Sequence, residues 1–361
     1  MANQDPSDMV QPLSNSPQAP PPQQIIIQNG SRGSILWRIL AVFGWLGVMF
    51  CVPIILAQAI SSASYYNTTE GVSEKYFSGD KSADDKIAVI NITGVIMSGE
   101  GYIRKQIDLV REDKDVKAVV VRVDSPGGTV TGSDYILHHL KKLKEERDIP
   151  LVVSMGAMAT SGGYYVSMAV EDEKDSIFAE PTTTTGSIGV IIPHYNVSGL
   201  MKEYHVEDDS IMSHPRKQML TMTREMSEEN REILQEYVNQ AFGRFKDIVK
   251  EGRPQFAADP EKLDVLATGE IFTANQALDS GLVDKIGFIE EAVARAAELA
   301  NIEVGSTRVV TYTQPTSLFD IGLSQSKAMN WDKMLELSAP KAYYISSYLP
   351  PIVSSFPLGA N

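Results

Sequence analysis

The residue types that could carry chemistry lie in three short loops rich in glycine and hydroxyl side chains. Residues 124–128 read DSPGG directly after a hydrophobic run, residues 159–165 read ATSGGYY, and residues 185–190 read TGSIGV. A serine hydroxyl beside glycine N–H groups suits acyl transfer, because the hydroxyl can attack a carbonyl while N–H donors stabilise the oxyanion. These loops therefore make acyl chemistry the first hypothesis.

Ser161 is the hydroxyl best placed for such chemistry. It stands at the expected start of a helix, flanked by small residues, and the N–H of Gly162 could point at a developing oxyanion. The same position also suits a serine that only caps a helix. A strand that ends in Pro-Gly-Gly is likewise typical of an ordinary turn, so no single loop decides the function.

Composition excludes several other classes of protein. The 361 residues include 32 Lys and Arg against 46 Asp and Glu, giving a net charge of −14 without a basic cluster, which argues against a nucleic-acid partner. The single cysteine, Cys51, excludes an intramolecular disulfide and a cysteine-based zinc site. The five histidines form no HExxH pattern, so we expect neither a metal nor a cofactor.

The N-terminal region predicts a membrane anchor. Residues 1–33 are rich in Pro, Gln, Ser and Asn and predict a disordered tail, whereas residues 39–60 form 22 positions without a charge, long enough to span a bilayer as a helix. Arg32 and Arg38 precede this run, and no basic residue follows until Lys75. The positive-inside rule then places the tail in the cytoplasm and the rest of the chain on the extracytoplasmic side of the cell membrane, as a single-pass protein.

Two other interpretations of the apolar run are weaker. Ala57-Gln58-Ala59 resembles a signal-peptide cleavage site, but the run is long and begins late for a cleaved signal. A buried core helix would be striped, whereas this run is apolar on all faces. We therefore expect an anchor over 34–60, in contact with membrane lipid through 39–60, and a polar linker over 61–85.

The remaining chain predicts one α/β domain over 86–313, followed by a C-terminal extension over 314–361 whose composition decides nothing. Strands are expected at 86–93, 118–123, 150–154, 177–179 and 187–192, and helices at 133–146, 161–170, 228–250, 274–280 and 289–301. Because strands alternate with helices, we expect a largely parallel sheet with helices packed against it.

Taken in order, the motifs resemble those of one family. SPGG is followed by ATSGGYY, whose serine lies 33 residues after the second glycine, then by TGSIGV and by a lysine within HPRKQML. This set is similar to the signal peptide peptidase A family in its short form, membrane-anchored serine peptidases with the Clp protease/crotonase fold. The resemblance covers roughly residues 86–300. Thr160, where many members carry alanine, and an acidic insertion at 171–175 depart from the pattern.

The resemblance implies a role for each site residue. Ser161 would be the nucleophile, Lys217 the general base and Ser187 the residue that orients the lysine. Gly128 and Gly162 would form the oxyanion hole. In short-form relatives the lysine comes from a neighbouring subunit, so the family implies a homo-oligomer with shared active sites.

The implied reaction is hydrolysis of hydrophobic peptides, such as remnant signal peptides, through an acyl-enzyme. An ordinary lysine has a pKa of about 10.4, so a lysine base must be desolvated to accept a proton at neutral pH.

Several alternatives stay open at this stage. Lys217 lies near Arg216 and Arg224 and could belong to a solvated basic patch. His194 is a second candidate base, which would need a carboxylate partner in a triad. A crotonase-like acyl-CoA enzyme would share the fold without needing Ser161, and a catalytically silent membrane scaffold would keep the oligomer without the chemistry.

Overall fold

The computed structural model describes residues 34–66, 71–314 and 343–345, and it divides into two units, residues 1–66 and 67–361. The described part of the first unit is helix α1 (Ser34–Tyr66). Its segment Trp37–Ile55 has a mean hydropathy of 2.1 and no buried residue, so by length and composition it is able to cross a membrane. The tail predicted over 1–33 lies outside the described residues.

The second unit alternates strands and helices. The strands are β1 (Ser73–Gly79), β2 (Lys86–Thr93), β3 (Val116–Ser125), β4 (Gly127–Thr129), β5 (Leu151–Thr160), β6 (Ile177–Ala179), β7 (Thr184–Gly186), β8 (Ile271–Thr273), β9 (Lys285–Ile286), β10 (Arg308–Thr313) and β11 (Tyr343–Ile345). The helices are α2 (Tyr102–Glu112), α3 (Val130–Arg147), α4 (Gly162–Ser167), α5 (Ser198–Glu203), α6 (Glu228–Gly252), α7 (Pro254–Ala258), α8 (Pro260–Leu266), α9 (Ala274–Ser280) and α10 (Ile289–Leu299). Short 3₁₀ turns cover Met168–Val170, Pro215–Gln218 and Val304–Ser306.

The main sheet runs in the order β1–β10–β2–β3–β5–β6–β9, and every pair from β10 to β9 is parallel. Strand β5 is long enough to have two partners on one side. Its first half pairs with β6 and its last residues pair in parallel with β7. This confirms the expected α/β architecture with a parallel-dominated sheet.

Both faces of the sheet are buried, which explains the continuous apolar runs in its strands. Along β2, Ile90 packs on the face covered by α3, α4 and α6, while Val89 packs on the opposite face against Ala292 and Ala296 of α10. A strand that is covered on both sides buries successive residues, so hydrophobicity does not alternate along it. The nucleophile candidate therefore emerges from a rigid, fully packed sheet.

Two local predictions differ from the structure. A strand over 187–192 is wrong, because β7 ends at Gly186, where φ is 84°, and Ser187 follows with φ of 51°. Such left-handed backbone cannot continue a strand. Within the segment 61–85, expected to be a linker, helix α1 continues to Tyr66 and β1 pairs antiparallel with β10. Strand β1 lies at the sheet edge with exposed side chains, so no hydrophobic alternation marks it.

Candidate active site

The site is built at the carboxyl ends of three neighbouring parallel strands. Strand β5 lies between β3 and β7, with Ser125 opposite Ala159 and Thr160 opposite Gly186. Ser161 therefore leaves the sheet beside Ser187, and its N–H donates to the Gly186 carbonyl at 2.7 Å. Parallel strands place their carboxyl ends at one edge, which is why three motifs far apart in sequence meet here.

Ser161 lies at a strained turn. Its backbone lies at φ 55° and ψ −115°, outside the regions that L-residues favour, between the end of β5 and the first residue of α4. It is 1% exposed, and its Oγ has no hydrogen-bond partner among the described residues. A buried hydroxyl without a partner costs about 1–3 kcal/mol, so its presence at a strained turn points to a functional role.

Two glycines lie against each other beside this hydroxyl. A Cβ added to Gly162 would lie 3.1 Å from the backbone nitrogen of Gly128 and 2.4 Å from Oγ of Ser133. A Cβ on Gly128 would overlap the carbonyl of Ile96 at 1.9 Å. Only glycine fits at either position, so the structure brings together the two residues predicted for the oxyanion hole.

Two buried tyrosines hold the helix that follows Ser161. The hydroxyl of Tyr164 donates to the Leu282 carbonyl at 2.9 Å, and the hydroxyl of Tyr165 donates to Asp134 at 2.6 Å. Both rings are fully buried, and burial raises the pKa of Tyr164. They are therefore core residues and do not line an open groove.

Ser187 lies next to Ser161 but is fixed from the opposite side. Its N–H donates to the Glu270 carbonyl at 2.6 Å, and its side chain belongs to the buried set at 6% exposure. The turn that it forms directs the chain out of the sheet into the segment 188–224, which contains α5 and the 3₁₀ turn Pro215–Gln218.

Lys217 lies in that 3₁₀ turn and is exposed. The turn is held by His214, whose Nδ1 accepts from the Arg216 N–H at 3.2 Å, and by an ion pair between Arg216 and Glu229 of α6. In the described part of the chain, Lys217 has no ion pair, and it does not hydrogen-bond to the Ser161 hydroxyl. Within one chain, the two residues of the expected dyad are therefore not hydrogen-bonded to each other.

A second anchor stabilises the same segment. Hydrogen bonds from the hydroxyls of Ser210 and Thr223 lower the pKa of Asp208 to about 2. Arg224 lies 3.5 Å from the same carboxylate. Arg224 therefore pairs with Asp208, as Arg216 pairs with Glu229, so both arginines near Lys217 in the sequence have acidic partners.

His194 is occupied elsewhere. Its Nε2 lies 3.0 Å from the carbonyl oxygen of Thr221. A triad would also need a carboxylate beside the imidazole, but Asp208 of the same segment hydrogen-bonds to Ser210 and Thr223 instead. This contact is typical of a structural histidine.

Sequence reasoning missed Asp124 and Ser125 as functional candidates. Both contact the loops of the site through side-chain hydrogen bonds to backbone groups. The only signal in the sequence was their place at the start of DSPGG.

Comparisons with known proteins show which family the chain belongs to. A family model described as "Peptidase family S49" matches residues 143–303, which include Ser161, Gly162, Ser187 and Lys217 but not Gly128. The chain is 34% identical over 279 residues to the putative signal peptide peptidase SppA of Enterococcus faecium, covering 74% of this chain and 78% of that protein.

Other relatives carry protease names as well. The putative protease slr0021 of Synechocystis is 39% identical over 64% of this chain and 81% of its own length. Protease 4 of Salmonella typhi is 37% identical over 60% of this chain, but the match covers 35% of that longer protein. The family predicted from the motifs is thereby confirmed: this chain belongs to peptidase family S49, together with proteins named signal peptide peptidase SppA and Protease 4.

Proposed function

We propose that the protein is a membrane-anchored serine endopeptidase that hydrolyses hydrophobic peptides, including remnant signal peptides, with Ser161 and Lys217 as a catalytic dyad. One observation carries this proposal. The Ser161 hydroxyl is buried without a partner in the described chain, at a strained turn between the strand end and α4, with Gly128 and Gly162 adjacent. An unpartnered hydroxyl beside two glycines suits a nucleophile whose general base and substrate carbonyl are not bound in this single chain.

In the proposed reaction each of these groups has one role. Oγ of Ser161 attacks the scissile carbonyl carbon while its proton passes to Nζ of Lys217. The carbonyl oxygen becomes an oxyanion that accepts hydrogen bonds from the N–H groups of Gly128 and Gly162. The C–N bond then breaks, the lysine returns the proton to the leaving amine, and water hydrolyses the acyl-enzyme. Ser187, next to Ser161, orients the lysine amine.

The base is expected from a second copy of the chain. Lys217 is exposed, and its segment carries large apolar side chains that nothing in the described chain covers fully. These side chains are Ile191, Tyr195, Leu200, Tyr204, Val206, Ile211 and Met222. An apolar surface of this kind favours packing against another subunit. Such packing would also supply the desolvation that a lysine base needs.

The edge of β4 provides a place for a peptide backbone. Strand β11 pairs antiparallel with β4, with Tyr344 opposite Gly128, so this edge accepts an extended chain directly beside the oxyanion glycine. A cavity of about 580 Å³ adjoins Thr129 and is lined in part by Ile192, Leu234 and Tyr237. An extended peptide on β4 could place hydrophobic side chains there, which supports a preference for apolar substrates.

Labelling with a serine-directed fluorophosphonate tests the proposal. The full-length protein in detergent or liposomes is expected to form an adduct at Ser161, located by mass spectrometry, and to cleave a fluorogenic hydrophobic peptide. A protein that neither takes the label nor cleaves the peptide would favour the silent scaffold. Ser161→Ala controls for labelling elsewhere.

Gly162→Ala is expected to reduce kcat about 10²-fold, because the new Cβ would lie 3.1 Å from the Gly128 nitrogen and obstruct the oxyanion site. Gly243→Ala on α6 is the matched control, since a Cβ there meets nothing within 4 Å. Steady-state kinetics of both variants check this. Equal activity of the two would contradict the close approach of Gly162 to the Gly128 nitrogen in the active protein.

Proline substitution tests the peptide-binding edge. In a strand, successive N–H groups point to opposite sides, so Tyr343→Pro with Tyr344→Pro removes whichever N–H faces β4. We expect a lower KM for added peptide with kcat unchanged, because residues 343–345 no longer compete for the edge. Alanine at both positions retains the N–H groups and serves as the control. The same KM in both double variants would contradict binding of substrate at β4.

A further inference from the structure

The first two residues of DSPGG, Asp124 and Ser125, hydrogen-bond to the two parts of the site: the strand that leads to Ser161 and the turn that carries Gly128. Asp124 and Ser125 are the last residues of β3, between the strand that leads to Ser161 and the turn that presents Gly128. Neither is assigned a role by the dyad. Their side chains nevertheless accept hydrogen bonds from backbone groups on both sides.

Asp124 bonds to an irregularity in β5. Between Val123 and Ser125, β3 advances by two residues while β5 advances from Met155 to Ala159. The extra residues of β5 form a bulge, which leaves an N–H without its ladder partner. Oδ1 of Asp124 accepts the N–H of Met158 at 3.1 Å, three residues before Ser161.

Gly156 in the bulge leaves space for the Asp124 carboxylate, and Thr183 hydrogen-bonds to the same glycine. A Cβ added to Gly156 would lie 3.0 Å from Cγ of Asp124, so the backbone approaches the side chain as closely as glycine allows. The carbonyl of Gly156 in turn accepts the hydroxyl of Thr183 at 2.6 Å. The bulge that sets the register of the nucleophile strand is thus fixed by side chains.

Ser125 holds the turn Gly127–Gly128, which carries the expected oxyanion donor, in the same way as Asp124 holds the bulge. It is fully buried, and its Oγ donates to the Gly94 carbonyl at 2.6 Å while accepting the N–H of Gly127 at 3.1 Å. Gly127, with φ of 95°, precedes Gly128 directly. This hydroxyl therefore fixes the left-handed turn that orients the Gly128 N–H.

Resting on the proposed function, we propose that Asp124 and Ser125 are positioning residues that set the distance between the Ser161 nucleophile and the oxyanion hole. Asp124 holds the nucleophile side through Met158, and Ser125 holds the glycine side through Gly127. Because the two are adjacent on one rigid strand, the two halves of the site move together. The proposal concerns hydrogen-bond acceptance and not the charge of Asp124.

The test uses the full-length protein and compares Asp124→Ala with Asp124→Asn. Asparagine retains Oδ1 as an acceptor, whereas alanine leaves the Met158 N–H without it. We expect Asp124→Ala to lower kcat about 10- to 10²-fold with KM near the wild-type value, since a displacement of about 1 Å at a reacting group costs up to 10²-fold. Asp124→Asn is expected to restore most of kcat, and Ser125→Ala to resemble Asp124→Ala.

Lys117→Ala is the matched control, because Lys117 lies on the same strand and its ammonium makes two surface contacts, with the Asp85 carboxylate at 3.5 Å and the Lys114 carbonyl at 3.2 Å. Equal kcat losses in Asp124→Asn and Asp124→Ala would overturn the proposal. So would a lower melting temperature in Asp124→Ala with kcat unchanged, since that describes a purely structural residue. Failure of the proposed function is distinct: wild-type protein would then take no phosphonate at Ser161, whatever Asp124 does.

Discussion

Ser161→Ala and Lys217→Ala are each expected to lose peptide cleavage by about 10³-fold or more, while His194→Ala and Lys202→Ala stay close to wild type. Members of a catalytic set act as a unit, so removing the nucleophile or the base alone removes most of the catalysis. Lys202 is the matched control for Lys217, being an exposed lysine of the same segment, on α5. Initial rates with a fluorogenic hydrophobic peptide, with oligomeric state checked for each variant, provide the measurement.

The contrary results are equally specific. Retained activity in Lys217→Ala with loss in His194→Ala would move the base to a histidine, against the contact of His194 with the Thr221 carbonyl. Loss in Lys202→Ala as well would indicate that the segment as a whole, and not one amine, matters.

A lysine base also predicts the direction of the pH dependence. The amine accepts a proton only in its neutral form, so the wild-type rate should rise from pH 6 towards pH 10. A flat profile in protein shown to remain folded would argue against Lys217.

The central strands of the sheet could be predicted from the sequence because successive residues along them are buried. Strands β2 and β3 appear in the sequence as runs rich in Val and Ile because both of their faces are covered. Helix α6 begins as predicted, since Ser227 caps it by accepting the Asn230 N–H. Of its apolar stripe only the C-terminal part, with Phe245 and Ile248, is buried in the core, whereas Ile233 and Tyr237 are exposed. Edge strand β1 escaped prediction because its side chains are mostly exposed, so tertiary pairing with β10 and not composition forms it.

Some features of the candidate site could likewise be predicted from the sequence, and others could not. Ser161, Gly162 and Gly128 could be found from sequence because each occupies a position that restricts residue type, either a strained turn or a close approach of two backbones. The hydrogen bond from Met158 to Asp124 could not, since it depends on a bulge that appears only when β3 and β5 are in register. The position of Lys217 relative to Ser161 could not be predicted either, because its exposed segment has no buried apolar pattern that would fix the path of the chain.

Mixing two inactive variants is expected to restore activity. If Lys217 of one copy serves Ser161 of the next, a subunit carrying Ser161→Ala still offers an intact lysine, and a subunit carrying Lys217→Ala still offers an intact serine. A mixed oligomer therefore contains complete sites at the contacts where the intact residues meet. Co-expression of the two variants with different affinity tags, followed by tandem purification, yields such oligomers directly.

The expected recovery is a fraction of wild-type cleavage far above the sum of the two single variants. The control is co-expression of Ser161→Ala with the double variant Ser161→Ala/Lys217→Ala, which contains no intact serine and must stay inactive. Absence of recovery in purified mixed oligomers would mean that serine and lysine act within one chain. The segment 188–224 would then have to move until Lys217 reaches the unpartnered Ser161 hydroxyl, since the two are not hydrogen-bonded in the single chain. Because both outcomes require the dyad established by the single variants, the mixing experiment measures which copy of the chain completes the site.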